Sequence, residues 1–77
     1  MKLKAVSSKK LIKILGIVDY SVVRQEGSHC ILEHQKTRKI TVVPIHSGQK
    51  IGVGLLSMIL RETEVSREEY LKLLEKT

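Results

Sequence analysis

The side chains best suited to move a proton near neutral pH in this 77-residue sequence are its three histidines. His29 directly follows Gly27-Ser28, a turn signal at which the backbone can approach a ligand closely. His46 follows a run of β-forming residues and begins a glycine-containing segment. We expect His34 to be a strand-end or surface residue. His29 and His46 are candidate site residues, against the alternative that each is an ordinary exposed or loop histidine.

Other catalytic and cofactor motifs are missing from the sequence. Residues 48–54 contain glycines but lack the Gly-Lys-Ser/Thr ending of a phosphate loop, and no carboxylate pair is spaced as a hydrolytic dyad. One cysteine and three scattered histidines do not make a zinc site, so we expect neither metal nor cofactor. Cys30 has no partner for an internal disulfide and is expected to be a small core residue.

Positive charge is concentrated in the first half of the chain. The formal net charge is +6, and residues 1–39 hold nine Lys/Arg against three Asp/Glu, whereas residues 40–77 hold five of each. Such a surface attracts polyanions, which favours a nucleic acid or an acidic protein as partner. The alternative is a basic face that only maintains solubility. Because Tyr20 and Tyr70 are the only aromatic residues, any RNA should be bound through phosphates, 2′-hydroxyls and shape.

Length and hydropathy predict one small domain, residues 1–77, with a thin core and a shallow site. No apolar run is long enough to span a membrane, and no signal-peptide apolar region follows the basic N-terminus. We therefore expect a cytoplasmic chain without membrane association.

The hydrophobic pattern predicts the elements that must position the histidines. A helix starts at an N-cap, Ser7 or Ser8, and has Gly16 at its end or in its last turn. Strands follow at 20–25, 29–34 and 39–45, with Pro44 at a strand end or edge. A loop at 46–54, an apolar helix from 55 and a short last helix complete the order α-β-β-β-α(-α), with Ser66 and Glu69 as a capping box. This predicts an α+β fold: a three-stranded antiparallel sheet with helices on one face.

The alternation of side chains along a strand predicts which way His29 faces. His29, Ile31 and Glu33 share one face of their strand, and Cys30, Leu32 and His34 share the other. Cys30 and Leu32 make the better core pair. His29 is therefore expected on the open face of the sheet.

Five segments, in order and with matching spacing, resemble the HicA toxin family. They are VRQEGSH at 23–29, VPIHSG at 43–48, GLLSMILR at 54–61, SREEYL at 66–71 and the first-helix region at 7–15. The resemblance implies a fold similar to the double-stranded RNA-binding domain and a ribonuclease that cleaves mRNA. It also implies an essential histidine after the Gly-Ser of the hairpin, here His29. A HicB-type antitoxin is expected to cover the active surface, giving a hetero-oligomer from a monomeric toxin.

The remaining site predictions concern RNA contact. Arg24 and Lys50 are candidates to bind phosphate, with Ser28, Lys9 and Lys10 as further contacts and His46 as a possible second proton carrier. Taken singly, each lysine or arginine is better explained as a plain surface charge.

The sequence departs from the family pattern at Cys30, where many relatives have a second polar residue, and at Leu55 and Ser57, where relatives often have Thr and Arg. Two alternatives therefore stand beside the ribonuclease: a non-catalytic RNA-binding module, and a degenerate toxin that only binds its antitoxin.

Overall fold

A computed structural model describes residues 2–77 and has the predicted α+β architecture. Along the chain the elements are β1 (Val6–Ser7), α1 (Ser8–Ile17), β2 (Tyr20–Glu26), β3 (His29–His34), β4 (Ile40–Pro44), β5 (Lys50–Ile51), α2 (Val53–Glu62) and α3 (Arg67–Lys76). Strands β2, β3 and β4 form an antiparallel sheet in that order, and β1 and β5 form a separate antiparallel pair.

Helix α1 begins as predicted, because the Ser7 hydroxyl accepts a hydrogen bond from the backbone N–H of Lys10 at 3.1 Å. Gly16 lies in the last turn, and the chain reverses at Asp19, which has φ +74°. Asp tolerates this left-handed conformation better than most residues. Helix α3 has the predicted N-cap, since the Ser66 hydroxyl accepts from the backbone N–H of Glu69 at 3.1 Å.

The core lies between the helices and one face of the sheet, as predicted. Its fully buried side chains come from α1, α2, α3 and the inner face of β3 and β4; they are Leu11, Ile14, Leu15, Leu32, Val43, Leu56, Ile59 and Tyr70. The opposite face of the sheet carries exposed apolar residues, Ile40 and Val42. Burial of the inner side chains therefore determines which face of the sheet covers the core, and the other face is open to solvent.

The prediction of a continuous loop at 46–54 is wrong in part. Lys50 and Ile51 form β5 and pair with Ser7 and Val6, and α2 begins at Val53, two residues earlier than predicted. A two-residue strand is too short to show an alternating pattern, and the glycines on both sides of it indicated a loop. The β1–β5 pair joins the start of α1 to the segment that follows the sheet.

Candidate active site

The hairpin end that carries His29 is a two-residue turn. Gly27, the first of the two turn residues, has φ +59°. Two-residue hairpin turns require a positive φ at this position, which glycine adopts most easily. The Ser28 carbonyl accepts a hydrogen bond from the backbone N–H of Ile45 at 2.6 Å. This bond holds the turn against the segment that leaves β4, because Ile45 directly follows Pro44, the β4 residue paired with His29.

His29 is exposed on the open face of the sheet, as the alternation predicted. Its neighbours Cys30 and Leu32 face the core and are only 3% and 0% exposed. Burial raises the pKa of the Cys30 thiol, so this group stays protonated and is not a nucleophile at neutral pH. Ile31, on the same face as His29, is more buried than expected because Arg24 and Val42 pair with it on either side.

A β-bulge in β2 places two charged side chains on the same face as His29. The register shifts between Val22 and Arg24, so that Arg24 pairs with Ile31 and Glu26 pairs with His29. The Arg24 guanidinium donates to the Glu26 carboxylate, and both side chains are mostly exposed. Directly paired residues have Cβ atoms about 4.5–5.5 Å apart, which sets Glu26 beside His29.

Glu26 is a further candidate site residue, and it is not among those predicted from the sequence. The signal was present: a two-residue turn at 27–28 requires the residues that flank it, 26 and 29, to be cross-strand partners. The carboxylate can orient the imidazole or accept its proton, and it also pairs with the Arg24 guanidinium.

His34 has a structural position, as expected. Its Nδ1 accepts hydrogen bonds from the backbone N–H groups of Lys36 and Thr37, both at 3.1 Å. Its ring packs edge-on against Tyr20, with ring centroids 5.0 Å apart. His34 therefore fixes the turn between β3 and β4 on the far end of the sheet from His29.

His46 is exposed at the start of the segment that leaves the sheet. Its carbonyl accepts a hydrogen bond from the backbone N–H of Gln49 at 3.0 Å. Because Ile45 is bonded to Ser28, the backbone of His46 lies close to the turn that carries His29. Within residues 2–77, no hydrogen bond joins the two imidazoles.

The predicted RNA contacts separate into two groups. Arg24 and Ser28 lie at the hairpin end with His29. Lys9 and Lys10 lie in the first turn of α1, and the Ser7–Lys50 pairing brings Lys50 to the same place. Lys10 and Lys50 line one cavity there, whereas Lys9 is exposed outside it.

The positive charge is unevenly neutralised. Arg24, Arg38 and Lys39 are ion-paired with Glu26, Glu33 and Glu64. Residues 2–13 contain five lysines and no acidic residue, and none of these lysines forms an ion pair within the described chain. The strongest positive surface is therefore at the N-terminal segment and the start of α1.

Leu55, one of the departures from the family pattern, is half-buried and packs against the core. An apolar residue there has a packing role. Ser57 is half-buried in a shallow cleft whose lining also includes Arg61 of α2 and Arg67 of α3.

Two further observations concern the described part of the chain. No group of three or more His, Cys, Asp or Glu side chains in residues 2–77 is arranged to hold a metal ion. No helix in the same range has the length and apolar character needed to cross a membrane.

Comparison with known families shows to which class a protein with this sheet, hairpin histidine and helices belongs. A family model described as the HicA toxin of bacterial toxin-antitoxin matches residues 8–65, more than half of the chain. The match contains the hairpin, the His46 segment, Lys50 and α2. The chain belongs to the HicA toxin family, and membership in a toxin-antitoxin family implies an antitoxin partner. A search of curated proteins found no match.

Proposed function

We propose that this toxin is an endoribonuclease that cleaves mRNA, with His29 as its catalytic residue. The observation that carries the proposal is the position of His29: an exposed imidazole at a tight turn, on an open sheet face, beside Glu26 and near Arg24. A shallow, open site of this kind suits a polymeric substrate that brings much of its own chemistry.

The substrate supplies the nucleophile in this reaction. A base takes the proton from a ribose 2′-hydroxyl, the 2′-oxygen attacks the adjacent phosphorus, and the bond from phosphorus to the 5′-oxygen breaks. The leaving 5′-oxygen takes up a proton, so the products are a 2′,3′-cyclic phosphate and a 5′-hydroxyl. We assign one proton transfer to His29, with His46 as candidate for the other. A positioned acid or base typically contributes ~10²–10⁴-fold to such a rate.

Cationic and polar groups near His29 are proposed to hold the phosphates. A guanidinium can form two parallel hydrogen bonds to a phosphate. An RNA phosphate therefore competes with Glu26 for Arg24 and breaks their ion pair. The freed Glu26 carboxylate then lies opposite His29 alone. Ser28, Lys9, Lys10 and Lys50 are proposed as further contacts, each strengthening binding in a salt-dependent way. No metal ion or cofactor is needed in this scheme.

The partner is proposed to be a HicB-type antitoxin that covers the open face of the sheet. Ile40 and Val42 are 53% and 39% exposed on the face that carries His29, and exposed apolar groups beside polar ones are typical of a protein interface. Val42→Glu should abolish the complex. The control is Ile17→Glu, which changes an apolar residue that is 53% exposed at the end of α1 and should leave the complex intact.

Cleavage of a defined RNA by the purified chain tests the proposal. We expect fragments ending in 2′,3′-cyclic phosphate, unaffected by a chelator and lost in His29→Ala. His46→Ala should slow the reaction without abolishing binding. Fragments with 3′-hydroxyl and 5′-phosphate ends would contradict this chemistry.

Protection of RNA without cleavage would favour the non-catalytic RNA-binding module. Antitoxin binding without RNA binding would favour the degenerate toxin. We place the action of the protein in the cytoplasm, where mRNA is translated.

A further inference from the structure

A second cationic feature lies at the start of α1, away from the hairpin. A cavity of about 400 Å³ is lined by Lys4, Ser7, Lys10, Lys50 and Tyr70, with apolar residues completing its wall. We call it the lysine cavity. Its lining contains three lysines and no acidic side chain, and the first turn of α1 also lacks acidic residues. The N-terminus of a ten-residue helix adds partial positive charge from its backbone N–H groups.

Tyr70, a residue of the cavity wall, provides an independent observation. The side chain is 1% exposed, and its hydroxyl has no hydrogen-bond partner among residues 2–77. Buried hydroxyls are almost always bonded, because leaving one without a partner costs about 1–3 kcal/mol. Burial raises the pKa of the Tyr70 phenol, so it keeps its proton and is available as a donor. Tyr70 lies in the wall that the lysine cavity shares with a neighbouring pocket containing Lys2 and Glu75.

We propose that the lysine cavity binds a phosphate group of the RNA strand, held by Lys4, Lys10 and Lys50 and by a hydrogen bond donated by Tyr70. The assignment of this phosphate rests on the proposed function, because the phosphate belongs to the same RNA that His29 is proposed to cleave. The site adds Lys4 and Tyr70 to the RNA contacts and excludes Lys9 from the cavity.

The chain connects the lysine cavity to the hairpin by a short path. Lys50 follows His46 by four residues, so their Cα atoms are at most ~14 Å apart. One RNA strand is long enough to occupy both places, with a phosphate in the lysine cavity and the scissile bond at His29. The cavity then sets the register of the strand and adds no acid or base to the reaction.

Titration of the isotope-labelled His29→Ala chain with inorganic phosphate, followed by NMR, tests the site without cleavage. We expect saturable shifts of the Ser7, Lys10 and Lys50 amides, and displacement of phosphate by a short single-stranded RNA. Tyr70→Phe should weaken phosphate binding roughly tenfold or more, because it removes a hydrogen bond to a charged group. Its melting temperature should be unchanged or higher, since the hydroxyl has no partner to lose. Lys50→Gln should weaken RNA binding and flatten the salt dependence by about 0.7 in the log–log slope.

The control is Lys72→Gln, which removes the same charge from an exposed position on α3 outside the cavity and should leave phosphate binding unchanged. Shifts spread over all lysines, or unchanged phosphate binding in Tyr70→Phe, would overturn the site. Phosphate that RNA does not displace would overturn its assignment to the RNA strand. If the unaltered chain cuts RNA but does not bind phosphate here, only this inference fails. If phosphate binds and RNA displaces it but no RNA is cut, the proposed catalysis fails instead.

Discussion

Replacing Gly27 with alanine should destabilise the chain and disturb the hairpin that carries His29. Gly27 has φ +59°, which an L side chain adopts at a cost of roughly 1–2 kcal/mol. No atom of residues 2–77 lies within 4 Å of a Cβ placed at this position, so the penalty comes from the backbone alone. Alanine also restricts the unfolded chain, which offsets about 0.4–1 kcal/mol. The net loss should be about 1 kcal/mol.

Gly16 offers a matched control with the opposite expected sign. It lies in the last turn of α1, its φ is not positive, and a Cβ there would also meet no atom of the described residues within 4 Å. Alanine at a helical position without steric conflict should stabilise the chain by about 0.5–1 kcal/mol. The two variants make the same chemical change, so a difference in sign isolates the effect of backbone conformation.

Urea unfolding of both variants measures the effect, with unchanged m values expected and only the midpoints shifted. The melting temperature should fall by about 4–8 °C in Gly27→Ala and rise in Gly16→Ala. RNA cleavage by Gly27→Ala should fall by more than its unfolded fraction explains, since the turn positions His29. Two shifts of the same sign would refute the assignment of strain to Gly27.

Three shorter predictions concern the core and the surface. Leu32→Ala should cost about 2–5 kcal/mol in the free energy of unfolding, because a fully buried leucine leaves a cavity; a loss below 1 kcal/mol would contradict its place in the core. Cys30 should react with iodoacetamide only after unfolding, since burial raises its pKa; rapid labelling of the native chain would oppose this. Lys39 lowers the pKa of Glu64, so their pairing stabilises the fold above the carboxyl's unfolded pKa and is lost as the pH falls through the folded value. Glu64→Gln should remove that part of the acid-unfolding curve, and Glu68→Gln should leave it unchanged.

The parts of the fold that could be predicted are those with a clear period or cap. Alternation placed Cys30 and Leu32 in the core and His29 on the open face. The N-cap of α1 was predicted at Ser7 or Ser8 and is Ser7, and the N-cap of α3 was predicted at Ser66. These features depend on neighbours in sequence, so local patterns are sufficient to predict them.

The features that could not be predicted depend on pairing between distant segments. The β1–β5 pair and the burial of Ile31 between Arg24 and Val42 have no local signature. The bulge between Val22 and Arg24 adds a residue to β2, and its position is defined only by the pairing of β2 with β3. The lysine cavity likewise joins the N-terminal segment, α1, β5 and α3, and Tyr70 is more than fifty residues from Lys4.

Expression in cells tests the proposal that His29 makes this toxin an RNA-cleaving enzyme. We would express the unaltered chain and His29→Ala from a tightly controlled promoter, confirm equal amounts of folded protein, and follow growth and mRNA integrity. We expect growth arrest with loss of mRNA for the unaltered chain alone. Equal arrest by both forms, or intact mRNA despite folded protein, would contradict it.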